Sequence, residues 1–170
     1  MTTYLVLTII GNDQPGLVER LAQTIADNGG NWLESSMSQL AGKFAGILQV
    51  SVADSDADRL IAELHKLSDR LKLVIEKATV EPVQVPARTL NLSLVGNDRP
   101  GIIKEIARTL AGLSINVEDL DTECVPAPMS ADVLFKARAV LKAPTDLDLD
   151  SLRTTLEQIA DDLIVELVTG

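Results

Sequence analysis

Leu5, Leu7 and Ile9 alternate with Val6 and Thr8, a pattern that predicts a strand with one buried face. The strand is expected to end at Gly11. Asn12 and Asp13 then cap a helix whose first turn suits Pro15, because proline's missing N–H would have no intrahelical partner there. Leu17, Val18, Leu21 and Ile25 give that helix an apolar stripe, and Asn28-Gly29-Gly30 stops it. A second strand from about Asn31 to Gln39, a turn at Ala41-Gly42-Lys43 and a third strand from Phe44 to Val52 make a hairpin. Asp54, Asp56 and Asp58 favour a helix N-terminus; Leu60, Ile61, Leu64, Leu67 and Leu71 supply that helix's apolar face, and residues 73–80 close the unit as a strand.

The same order then returns. Gly11-Asn12-Asp13-Gln14-Pro15-Gly16 recurs as Gly96-Asn97-Asp98-Arg99-Pro100-Gly101, and at an offset of 85 residues 5–35 and 90–120 are identical at 11 of 31 positions. One structural unit is therefore used twice. Strand-helix-strand-strand-helix-strand in each copy predicts an α+β chain of two tandem ferredoxin-like βαββαβ domains, each an antiparallel four-stranded sheet with two helices on one face. The domains are placed at 1–81 and 90–170, with a stiff linker at 82–89 bracketed by Pro82 and Pro86. In the second copy, strands are expected at 90–94, 115–125, 133–141 and 163–168 and helices from Ile102 and from Leu152 to Asp161. The segment Val125-Pro126-Ala127-Pro128-Met129 replaces the tight hairpin turn with a longer loop.

Aromatic residues are 2% of the chain, so the cores rest on Leu, Ile, Val and Ala, and an aromatic base-stacking surface is disfavoured. The net charge of −10 is spread over both halves, with seven Lys/Arg against eleven Asp/Glu in 1–85 and eight against fourteen in 86–170. Phosphate backbones would be repelled, which argues against direct nucleic-acid binding. A single cysteine, Cys124, leaves no internal disulfide and no multi-thiolate metal site, and packing is its expected role. With no basic leader and no apolar run near the roughly 18 residues of a membrane helix, the expectation is a cytoplasmic protein. Asp146, Asp148, Asp150 and Glu157 have calcium-loop spacing, but Ser151 stands where the loop needs glycine, so they read as helix-start acids. His65 is expected to be solvated, and Trp32 is either core or the lid of a pocket. No phosphate-binding glycine loop, catalytic triad or carboxylate pair is present, so neither an enzyme nor a cofactor is expected.

Gly-Asn-Asp-Arg-Pro-Gly at 96–101, Leu113-Ser114-Ile115-Asn116-Val117, and the proline-bearing loop before Leu134-Phe135-Lys136-Ala137-Arg138 carry a resemblance. The chain resembles a tandem of ACT domains, specifically the glycine cleavage system transcriptional repressor family. That resemblance implies a sensor of a small amino acid of the glycine or serine class, acting through a DNA-binding activator protein; a homo-oligomer is expected because the open sheet face of a small domain usually finds cover. It also implies a ligand held between the loop after the first strand and the start of the second strand, often where two such domains meet. Carried onto this chain, those positions are Asn12, Asp13, Gly16 and Asn31 in copy one, and Asn97, Asp98, Arg99, Gly101 and Asn116 in copy two.

The residue chemistry agrees with such a site. A free amino acid offers a carboxylate and an ammonium, so its site needs free N–H donors beside oxygen acceptors. A helix N-terminus supplies donors and positive potential, and Gly16 and Gly101 bare the backbone. Asp13 or Asp98 can take the ammonium, the amides of Asn31 and Asn116 donate or accept, and Arg99 can add a two-pronged carboxylate contact. Because copy one has Gln14 in place of Arg99 and Trp32 in place of Val117, the second copy is the expected binder. Two other readings remain open: an interaction module without ligand, and a regulatory subunit of an amino-acid metabolic enzyme.

Overall fold

Leu5, Leu7 and Ile9 share one face of β1 (Thr2–Asn12) and are at most 1% exposed, so the alternating pattern does become a half-buried strand. The computed structural model describes residues 1–79 and 86–170, which fall into two units, Met1–Pro82 and Val83–Gly170. Residues 82–85, half of the linker placed at 82–89, lie outside the described residues.

In the first unit β1 is followed by α1 (Leu17–Asp27), β2 (Asn31–Leu40), β3 (Lys43–Ala53), α2 (Asp54–His65), a 3₁₀ turn (Lys66–Asp69) and β4 (Leu71–Lys77). The strands form an antiparallel sheet in the order β2-β3-β1-β4. The second unit repeats this with β5 (Ala87–Asn97), α3 (Ile102–Gly112), β6 (Asn116–Pro126), β7 (Val133–Pro144), α4 (Leu149–Glu157) and β8 (Ile164–Thr169), in the order β6-β7-β5-β8. Each unit therefore has the ferredoxin-like arrangement.

Helical spacing explains which side chains close each core. Leu17, Leu21 and Ile25 of α1, and Ile102, Ile106 and Leu110 of α3, lie a turn apart and are buried together. Ala57, Leu60 and Leu64 of α2 and Leu152 and Leu156 of α4 complete the layer. Each fully buried leucine contributes about 1.5–3 kcal/mol. The opposite sheet faces differ. Tyr4, Ile10, Ile47 and Val74 leave apolar surface on the first unit, whereas Asp121, Glu123, Lys136, Arg138 and Glu166 make the second unit's open face a charged ladder.

Several boundaries depart from the sequence pattern. Leu71 opens β4 and Leu67 lies on the 3₁₀ turn, so neither extends α2; both are buried, and a core-facing leucine reads alike in helix, turn or strand. β5 begins at Ala87, β7 runs on to Pro144, and α4 occupies Leu149–Glu157 rather than 152–161. Asp148 is the reason for the last shift: its carboxylate accepts from the Asp150 N–H at 3.2 Å and from Ser151 Oγ at 2.8 Å, starting the helix three residues early. Those hydrogen bonds, Ser151's first, hold the Asp148 carboxyl below the usual range. Asp148 and Asp150 thus begin the helix, whereas Glu157 ends it.

Candidate functional site

The glycines of the repeated hexapeptide decide the shape of both loops. Gly16 precedes α1 with φ +91° and Gly101 precedes α3 with φ +85°, the left-handed region that L side chains rarely adopt. A Cβ at either would meet nothing within 4 Å, so conformation demands the glycine and open space lies beside it. No side chain caps either helix. Asn12 and Asp13 are therefore not the caps their identity suggests: β1 continues through Asn12, which pairs with Lys43 and accepts a hydrogen bond from its Nζ. The Asp13 N–H donates to the Gly42 carbonyl at 3.0 Å, and in the second unit the Asp98 N–H donates to Val133 at 2.8 Å. Both aspartate side chains stay exposed beside the uncapped first turn.

The two halves of the expected cradle do not meet within a unit. Asn31 pairs with Ser51, which pairs with Tyr4, eight residues before Asn12 on β1. At about 3.4 Å per residue the two asparagines stand roughly 27 Å apart, at opposite ends of the sheet. The second unit behaves identically, since Asn116 pairs with Lys142 and Lys142 with Thr89, again eight residues before Asn97. The loops gather Asn12, Asp13 and Gly16, or Asn97, Asp98, Arg99 and Gly101. Asn31 and Asn116 belong to the far ends.

The two loops also differ in what holds them. Arg99 is bonded to the Glu105 carboxylate on the first turn of α3 and donates to the Ile159 carbonyl at 3.2 Å. The Asn97 N–H donates to the Asp162 carboxylate at 2.6 Å. The Arg99 guanidinium is raised above its ordinary pKa, first by its hydrogen bond to Glu105, and Glu105 is lowered for the same reason. Nη2 of Arg99 is thus already engaged within its own unit, which weakens the part of the preference for the second copy that rested on a free Arg99. Copy one has Gln14 at that position, and no carboxylate takes its place.

Three neighbours were invisible in the pattern. Cys124, on β6 opposite Phe135 of β7, is exposed rather than packed, and its thiol feels the Asp98 carboxylate. Lost hydration, then the Asp98 charge, push that thiol above its usual pKa. Glu105 and Asp162 enter the second loop only because α3 and the α4–β8 turn converge there. Trp32 resolves as core: it packs against the first unit's buried cluster and its Nε1 donates to Ser35 Oγ at 3.1 Å. Where Val117 replaces it, the second unit has an apolar cavity of about 40 Å³ lined by Leu94, Ile103, Leu110, Val117, Leu120 and Ala139.

Residues 3–77 match the family model described as the ACT domain. The glycine cleavage system transcriptional repressor of Escherichia coli is 21% identical over 163 residues, spanning 94% of this chain and 85% of that one. A UPF0237 protein of Methanopyrus kandleri is 31% identical over 71 residues, 41% of this chain and 79% of that protein. The crystal structure of an unknown protein from Galdieria sulphuraria superposes with a TM-score of 0.86 at 25% identity, covering 100% of this chain and 99% of the other.

Proposed function

The chain belongs to the ACT-domain family and carries two such domains in tandem, and from that premise we propose a non-enzymatic regulatory protein that senses a small amino acid of the glycine or serine class. The observation that carries this reading is the pair of loops in which a left-handed glycine precedes a helix whose first N–H groups no side chain caps. Such a turn presents donors and positive potential to a carboxylate, while Asp13 or Asp98 beside it attracts an ammonium. Since Asn31 and Asn116 lie at the far end of their own sheets, the amide that completes a cradle comes from another chain of a homo-oligomer. Ligand then favours the assembly that closes the cradle, by its differential affinity for that state.

Similarity to the repressor from Escherichia coli supports a transcriptional role. With a net charge of −10, that role passes through a DNA-binding activator protein rather than through DNA itself. Calorimetric titration with the common amino acids tests the sensor. Glycine or serine is expected to give saturable heat that Asp13→Ala and Asn31→Ala weaken; silence with every amino acid removes the sensing role. An interaction module without ligand is the second reading, favoured by the exposed apolar side chains Ile10, Ile47 and Val74 on the first unit's open face. Partner regulation left intact by Asp13→Ala and Asn31→Ala together would select it.

A further inference from the structure

A second feature of the first unit stands apart from the amino-acid-sensing reading. At the end of β1, between its β3 and β4 neighbours, a cavity of about 250 Å³ is lined by Asn12, Lys43, Asp69, Arg70 and Lys72, among others. Three of the seven Lys/Arg in residues 1–85 border this one cavity, in a chain whose overall charge is strongly negative. The ion pairs among the described residues use other cations: Arg59, Lys66, Lys77, Arg99 and Arg153. Lys43 is held by the neutral amide oxygen of Asn12, which leaves its charge uncompensated. Three cations less the one carboxylate of Asp69 leave a surplus of two positive charges around the cavity.

The second unit shows what that place does when it is filled from within. Asn12 pairs with Lys43 where Asn97 pairs with Leu134, and Ile10 pairs with Lys72 where Val95 pairs with Ile164. Next to the loop glycine, the Arg70 backbone carbonyl and the Leu71 side chain border Gly11 where the Asp162 carboxylate and Leu163 border Gly96. The three cations of the first unit are thus answered in the second by Leu134, Asp162 and Ile164. There the Asp162 carboxylate accepts the Asn97 N–H at 2.6 Å, an anion built into the chain. The first unit reverses the charge at that position and surrounds it with two lysines.

We propose that the first unit's cavity is an anion site that takes a small dianion from solution, with Arg70, Lys43 and Lys72 supplying the counter-charge. The site matches its ligand by charge: a planar guanidinium pairs two-pronged with a carboxylate or phosphate, and two flexible ammonium groups compensate the second charge. A neutral zwitterion of the glycine class gains little there, so the two sites are separable by ligand.

The test uses the full chain at low ionic strength, titrated calorimetrically with succinate and with inorganic phosphate, with amide chemical shifts at Gly11 and Asn12 as the second readout. Saturable binding of at least one dianion is expected, weaker by about tenfold in Arg70→Ala and in Lys72→Ala and weakened by added salt. The triple variant Lys43→Leu, Arg70→Asp, Lys72→Ile, which copies the second unit, is expected to abolish it. Binding of phosphate alone or succinate alone would identify which dianion chemistry the cavity accepts. Absence of binding by both, or binding that the triple variant retains, overturns the proposal. Glycine titrated into Arg70→Ala and Lys72→Ala reports on the amino-acid reading independently, because neither substitution replaces Asn12, Asp13, Gly16 or Asn31, whereas Lys43→Leu removes the hydrogen bond to Asn12.

Discussion

The guanidinium of Arg99 is bonded to the carboxylate of Glu105, so the second unit's loop is closed onto the first turn of its own helix. Glu105 has a lowered folded pKa, through the Arg99 hydrogen bond first. A carboxylate of that kind contributes stability above its unfolded pKa and loses it as pH falls through the folded value. Both side chains are solvated, so the effect is small. Glu105→Gln should therefore lower the thermal midpoint near neutral pH, and the two proteins should converge in acid. A gap between their midpoints that does not shrink as the pH falls would contradict this.

Cys124 should be a slow thiol. Its raised pKa leaves less thiolate at neutral pH than a free cysteine has, although the side chain is exposed. Alkylation by iodoacetamide is expected to be slower than for a free cysteine at the same pH, and Asp98→Asn should speed it. An unchanged rate in Asp98→Asn would remove the aspartate from the account.

Among the described residues, two other than glycine sit in the left-handed region, Ala41 with φ 50° and Ser114 with φ 57°. Ala41-Gly42 is a two-residue hairpin turn with φ positive at both positions, which asparagine tolerates better than alanine. Ser114 follows α3 where Gly29 follows α1, and in both places the next residue's N–H returns to the carbonyl five back, at 3.0 Å and 2.9 Å. Ala41→Asn and Ser114→Gly should each stabilise by roughly 0.5–1 kcal/mol, measured by chemical denaturation.

Trp32 and Val117 predict opposite responses. Trp32 closes its core, so Trp32→Val should cost about 2 kcal/mol. Val117 borders the apolar cavity, so Val117→Ile should add about 0.5–1 kcal/mol by filling it. Equal losses in both variants would show that the cavity plays no part.

Gly46 has no room for a methyl group, since a Cβ there would stand 2.3 Å from the Ser36 carbonyl oxygen and 2.6 Å from Met37 Cγ. Gly46→Ala should cost about 1–3 kcal/mol in denaturant titration. Gly16→Ala, strained only by its backbone, should cost about 1–2 kcal/mol.

What the sequence by itself determined is the repeat, the order of elements and the buried stripes. The spacing of Leu5, Leu7 and Ile9, or of Leu21 and Ile25, is set by how strands and helices turn, and that rule is local. The loops were legible as loops for the same reason, because their Asn, Asp, Pro and Gly act on their own backbone. Only the tertiary structure decided what each loop touches. Asp162 reaches Asn97, and Ile159 reaches Arg99, across some sixty residues of chain, and no periodicity encodes that approach. The capping reading of Asn12 and Asp13 failed because a pairing partner on β3 carried the strand past Gly11. Register also placed Asn31 and Asn116 away from the loops they were matched with. Pairing between distant strands, settled by burial of whole faces, sets such distances, and no short stretch of residues records them.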